Sequence, residues 1–115
     1  MEDFVLDKAI ILERLGGDDE IFVVMADMFL ADAANYCEQL AAAQVSGRAD
    51  VLHREAHTIK GLLATFADDT GAAMAQAIEQ KAKSGSVTEL APAVAALQQR
   101  VRLVAEGVRA ALAAG

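Results

Sequence analysis

Cysteine and proline each occur once in the 115-residue chain, tryptophan never, and aromatic residues make up only 4%. The lone thiol, Cys37, has no second cysteine to pair with within the chain, which suits a reducing cytosol rather than a disulfide scaffold. The shortage of aromatic residues, with a single Pro92, argues against a sandwich or barrel, whose strands want β-branched and aromatic residues and whose turns want Gly and Pro. A basic excess is also missing. Ten Lys and Arg face seventeen Asp and Glu, for a net charge of −7 and a pI near 4.6. Phosphate backbones need clustered cations, so nucleic acid is an unpromising partner. An acidic surface instead favours a soluble monomer that selects basic or apolar contact faces. No long apolar run exists: the longest uncharged stretch is Leu90 to Gln99, ten residues where a membrane span needs about twenty. The acidic start Met1-Glu2-Asp3 is unlike a signal peptide. These features lead to the expectation of a cytoplasmic protein with no membrane contact.

What is abundant is alanine, 26 of 115 residues, within a hydrophobic content of 55%. Alanine is the best helix former, and this length suits one domain, residues 1–115, with a core of its own. Glycine-bearing breaks at Gly16-Gly17, Ser46-Gly47, Asp68 to Gly71 and Ser84-Gly85-Ser86 divide the chain into five helical pieces, about 7–15, 18–45, 48–67, 70–84 and 87–114. Asp18-Asp19-Glu20 suits the start of the second piece, and Asp69 or Thr70 would cap the fourth. Ser86-x-x-Glu89 reads as a capping box for the fifth. The expected inner stripes are Ile21, Val24, Met25, Met28, Phe29, Tyr36 and Leu40 on the second helix and Leu90, Val94, Leu97, Val101, Val104, Val108 and Leu112 on the fifth. Met74, Ala77 and Ile78 play that part on the fourth. Four long helices with short connections predict an all-α fold, an antiparallel up-down-up-down four-helix bundle with a short extra N-terminal helix.

Most catalytic signatures are absent. The sequence contains no GxxxxGK[ST] phosphate loop and no GxSxG elbow, so no nucleotide site of its own is expected. Its two histidines, His53 and His57, stand four apart on the third helix, but Arg54 occupies the place where a zinc-protease helix needs Glu. A two-histidine metal site lacks an evident third ligand, and no metal is expected. On a helical wheel of about 100° per residue, Leu52, Ile59, Leu63 and Phe66 lie opposite His57 and mark the core side. His57 therefore faces outward, with His53, Lys60, Gly61 and Ala64 on the same side. Glycine inside a helix costs roughly 0.5–1 kcal/mol relative to alanine. In a chain so rich in alanine, Gly61 suggests a cleared approach to the imidazole. Folding the third and fourth helices back on each other near Asp68-Asp69 brings Glu79 level with His57, each about eleven residues from the turn. A carboxylate on Nδ1 fixes the tautomer and frees Nε2 as nucleophile. Gln76 lies one turn away.

An exposed imidazole with an orienting carboxylate, an ammonium at Lys60 and open space at Gly61 fits reversible phosphorylation on His57. Lys60 would neutralise phosphoryl oxygens as a point charge. Phosphoryl transfer also needs a metal and a phosphodonor, which this chain would have to receive from partners. Two other readings are a non-phosphorylated helical adaptor working through the same face, and a metal-binding bundle built on His53 and His57.

The run Ala56-His57-Thr58-Ile59-Lys60-Gly61 resembles the A-H-x-[LI]-K-G core of the histidine-containing phosphotransfer domains of two-component phosphorelays. Leu15-Gly16-Gly17-Asp18, Met28 to Asp32, Ala77-Ile78-Glu79 and Lys83-Ser84-Gly85 extend the resemblance over most of the chain. It implies a helical bundle with the phosphoacceptor midway along a helix, Nε2 phosphorylation of His57, and Lys60 beside the phosphoryl group. Glu79 matches the position where members carry Gln or Glu bonded to the histidine. The implied partner is a response-regulator receiver domain, alone or in a hybrid sensor kinase, whose aspartate exchanges the phosphoryl group and whose site holds Mg²⁺; no cofactor is implied on this chain. His53, Gly61, Ala64 and Gln76 would form the partner-binding face. The chain departs from the pattern at Leu62 and Leu63, where small residues are common, and at Ala67, where many members have Gly.

Overall fold

The computed structural model describes residues 3–85 and 87–114. Five α-helices follow one another: α1 (Lys8–Arg14), α2 (Asp19–Val45), α3 (Ala49–Thr65), α4 (Asp69–Lys83) and α5 (Ala91–Ala113). A single 3₁₀ turn, Thr88–Leu90, precedes α5. Pro92 falls in the first turn of α5, where its missing N–H has no intrahelical partner to lose. The capping box lies outside the described residues, because Ser86 is its first member.

The starts of α1 and α2 are set by acidic caps. Asp7 accepts from the Ile10 amide at 3.2 Å, and Asp18 accepts from the Glu20 amide at 2.9 Å, each satisfying an amide the helix itself leaves open. Gly16, Gly17 and Gly47 carry φ near +75° to +80° (77°, 81° and 73°) and stop α1 and α2.

The four long helices close into a ring, with α2 against α3, α3 against α4, α4 against α5 and α5 against α2. Their antiparallel sense follows from cross-links. Gln98 Nε2 donates to the Cys37 carbonyl, whereas Gln44 Nε2 donates to the Val87 carbonyl, so rising numbers on α2 meet falling numbers toward α5. Phe29 on α2 meets Phe66 at the end of α3 with ring centroids 5.1 Å apart. The expected bundle is the observed one.

The stripe of α5 is inward as read, from Leu90 to Val108, with Leu112 half-buried near the end. The stripe of α2 is inward only in part: Phe29 and Leu40 are buried as expected, and Met25 and Tyr36 are partly buried against the core. Its buried residues are Phe22, Ala26, Phe29, Cys37, Leu40 and Ala43, while Ile21, Val24 and Met28 are exposed. Ile21 to Met25 is an unbroken apolar run, so size alone does not choose the phase; the small side chains of Ala26 and Ala43 are what let the neighbouring helices close in. On α4 the buried set is Gly71, Ala75, Ile78 and Ala82, with Met74 half-buried and Ala77 exposed.

The α3–α4 turn is made by Phe66, Ala67 and Asp68. The cap of α4 is Asp68, not Asp69 or Thr70, and its side chain makes no capping bond. That carboxylate is turned inward to Arg100 of α5, which donates to it from Nε at 3.0 Å. Both residues are 2% exposed. Gly71 is required here, since a Cβ would drive into Asp68 and come within 2.7 Å of Leu63 Cδ1. Ala67 adopts φ +60°, a left-handed conformation that costs a residue with a Cβ about 1–2 kcal/mol. Replacing Ala67 by glycine relieves that strain and is expected to raise stability by about 0.5–1 kcal/mol once the looser unfolded chain is counted. A Tm increase of about 3 °C in a thermal melt would show it, and an unchanged or lower Tm would refute it.

Among the described residues, no helix is long and apolar enough to cross a membrane.

Candidate functional site

The α3–α4 hairpin places His57 and Glu79 side by side. Its register follows from the three-residue turn and from the buried sets of the two helices, Leu52, Ala56, Ile59 and Leu63 against Ala75, Ile78 and Ala82. With those faces inward, His57 emerges on the outer side, its side chain 65% exposed, while Glu79 lies in the seam at 15%. His57 Nδ1 is 3.0 Å from Glu79 Oε2.

Three cationic or ionisable donors converge on this carboxylate. Lys60 Nζ is 2.8 Å from Oε1, His57 Nδ1 is 3.0 Å from Oε2, and His53 Nε2 is 3.8 Å from the same Oε2. The Lys60 ammonium holds the Glu79 carboxyl below the ordinary carboxylate range, the hydrogen bond from His57 adds to this, and partial burial opposes it. A carboxyl with a lowered pKa is ionised at neutral pH and can only accept. In the neutral ring Nδ1 then carries the single proton, and Nε2 holds the free lone pair. The sign is that of a depressed acid: this hold on the ring is complete above the ordinary Glu range and is lost only as pH falls through the lowered value.

Glu79 Oε1 is buried, and the Lys60 ammonium at 2.8 Å is its ion-pair partner. The sequence reading puts Lys60 on the outer side with His57; in the structure it leans across the seam and is half-buried.

Gly61 is exposed, and a Cβ built there meets nothing within 4 Å. Internal packing therefore does not require this glycine. The flanking hydroxyls are tied to helix carbonyls: Thr58 donates to the Arg54 carbonyl at 3.1 Å and Thr65 to the Gly61 carbonyl at 2.9 Å. A bare spot of helix remains one turn beyond the imidazole. Ala64, a turn further, offers its carbonyl to Arg14 Nη1 at 2.8 Å. Gln76 is exposed on α4 and borders the same small hollow as His53, Lys60 and Glu79.

Beyond Lys60, sequence reasoning missed the cations around this patch. Arg14 arrives from α1, fifty positions from its Ala64 partner, with no local signal. Arg54 and Lys83 line an open groove of about 720 Å³ between α3 and α4 that ends at His57. Lys83 was legible, being one turn after Glu79. Among the described residues, no three His, Cys, Asp or Glu side chains are arranged to hold a metal ion, so the metal-binding reading gains no third ligand.

A helical bundle that pins one ring nitrogen to an ionised carboxylate and leaves the other in water is a histidine-presenting module. The sequence matches the Hpt domain family over residues 24–107, and the chain belongs to that family. Hpt domains are phosphotransfer carriers of phosphorelays that work with receiver domains and hybrid kinases, and are not kinases with an ATP site. The fold is also that of the HPT domain of an Hpt sensor hybrid histidine kinase from Shewanella, with a TM-score of 0.84 at 19% identity, covering 96% of this chain and 95% of that one. No curated protein matches the sequence.

Proposed function

We propose that this chain carries a phosphoryl group on Nε2 of His57 and exchanges it with the aspartate of a response-regulator receiver domain. The observation that carries the proposal is the split of the imidazole: Nδ1 held at 3.0 Å by Glu79, with the rest of the ring exposed. In the accepting direction, the Nε2 lone pair forms a bond to phosphorus as the bond between phosphorus and the aspartyl oxygen breaks. The electron pair of that bond leaves on the aspartate. The ring keeps its Nδ1 proton and gains positive charge, which the ionised Glu79 beside it offsets. Lys60, paired with Oε1 at rest and one helical turn beyond His57, swings to the phosphoryl oxygens. Donation is the same path reversed.

The chain supplies the nucleophile, its orientation and one cation; the receiver supplies Mg²⁺ and the second acceptor, so the carrier is not an enzyme by itself. A monomer in the cytoplasm, meeting the receiver through His57, Gly61, Ala64 and Gln76, accords with the acidic charge and the buried Cys37 thiol.

The test is incubation with phosphorylated receivers. Acid-labile label on the chain supports the proposal; no label from any of several receivers that do bind would leave a non-phosphorylated adaptor. Gly61→Leu separates approach from chemistry. It is expected to slow exchange with a receiver at least tenfold while helix content by circular dichroism stays level or rises, since leucine is the better helix former. Undiminished exchange would mean that the bare spot serves no partner.

A further inference from the structure

Glu79 carries a load that changes during the transfer just described. At rest Lys60 is paired with Oε1 and His57 with Oε2, which pins the carboxylate from both sides. Once a phosphoryl group sits on Nε2, Lys60 turns to it, and Oε1 loses its ion pair. A carboxylate held by one contact is free to rotate off Nδ1 at the stage when the ring carries positive charge and needs it most.

The structure holds a substitute in place. His53 lies one turn before His57 on the same face of α3, with its side chain two-thirds buried. Its Nε2 is turned in toward Glu79, not out to a partner, and stops 3.8 Å from Oε2. That is about 1 Å beyond a hydrogen bond, a gap a small ring movement closes.

We propose that His53 is a positioning residue that takes over Glu79 when Lys60 leaves it, keeping the carboxylate on Nδ1 of phosphorylated His57. This rests on His57 being the phosphoacceptor. No bond to phosphorus involves His53, and its imidazole acts only as a donor to Glu79. The role differs from contact with the receiver, which the outer position of His53 on the helical wheel suggests.

The experiment uses the full chain and two variants, His53→Ala and His53→Gln, the second keeping an amide donor. Each is phosphorylated with phosphoramidate, which delivers its phosphoryl group to imidazole and releases ammonia, and is then offered a receiver. In His53→Ala, the Nδ1 proton of phosphorylated His57 is expected to exchange faster with water by NMR. The maximal transfer rate to the receiver is expected to fall about tenfold with KM unchanged. His53→Gln restores most of both. The unphosphorylated Ala variant, in which Lys60 still holds Oε1, keeps a wild-type Nδ1 proton signal. A raised KM with an unchanged maximal rate would make His53 a receiver contact and overturn the proposal. Wild-type rate and exchange in His53→Ala would overturn it as well. If the wild-type chain takes no phosphoryl group on His57 from phosphoramidate, the acceptor assignment itself falls, and this inference with it.

Discussion

His57→Gln is expected to abolish acid-labile phosphorylation and leave the bundle standing. The loss is complete because no other side chain in the patch offers a free, oriented nucleophile: His53 is turned to Glu79 and Lys60 is charged. The fold survives because the ring is 65% exposed and packs on nothing in the core. Glu79 keeps Lys60 at 2.8 Å, so no buried charge is stranded. The change in stability should stay within about 0.5 kcal/mol, as for surface substitutions elsewhere. Transfer from a phosphorylated receiver, followed beside a thermal melt, reads both quantities. Label that persists on the variant would move the acceptor elsewhere, and a collapsed melt would mean that His57 has a structural role its exposure does not reveal.

The second large effect lies away from the chemistry. Asp68→Ala is expected to cost about 3–5 kcal/mol, because it leaves the Arg100 guanidinium charged and buried without its carboxylate. That is a large share of the total of about 5–15 kcal/mol that holds a domain of this size together. The loss is electrostatic and not a lost cap, since the Asp68 side chain makes no capping bond. Exchanging both partners, Asp68→Leu with Arg100→Met, should recover much of it by exposing no unpaired charge. Urea titrations of the three variants decide the matter: a single variant as stable as wild type, or a double variant no better than the single, would show that the pair is not what anchors the turn to α5.

The unequal legibility of these features has physical causes. The stripe of α5 could be read because Arg, Gln and Glu interrupt its aliphatic residues at helical spacing. The first turns of α2 could not, because Ile21 to Met25 is apolar throughout and packing, not hydropathy, picks Phe22 and Ala26. The contact between His57 and Glu79 was accessible to arithmetic, since a tight hairpin fixes what lies level across it. The turn toward Glu79 that His53 makes was not, because a wheel places a residue around its own helix without showing which neighbour leans over it. The pairing of Asp68 with Arg100 joins residues 32 positions apart, with nothing local to mark either as buried. Ala67 is a different case: its departure from the common glycine was visible, and the positive φ supplies the reason glycine is common there.

Every side chain assigned to the phosphoryl group comes from α3 and α4, between His53 and Glu79, joined by only three residues of turn. The geometry of nucleophile, cation and carboxylate is thus settled within one contiguous segment of the chain. The two outer rods, α2 and α5, have only to present an apolar bed to it. A bed of that kind can be met by many apolar sequences, and the Shewanella HPT domain shares nearly the whole shape while agreeing at fewer than one position in five.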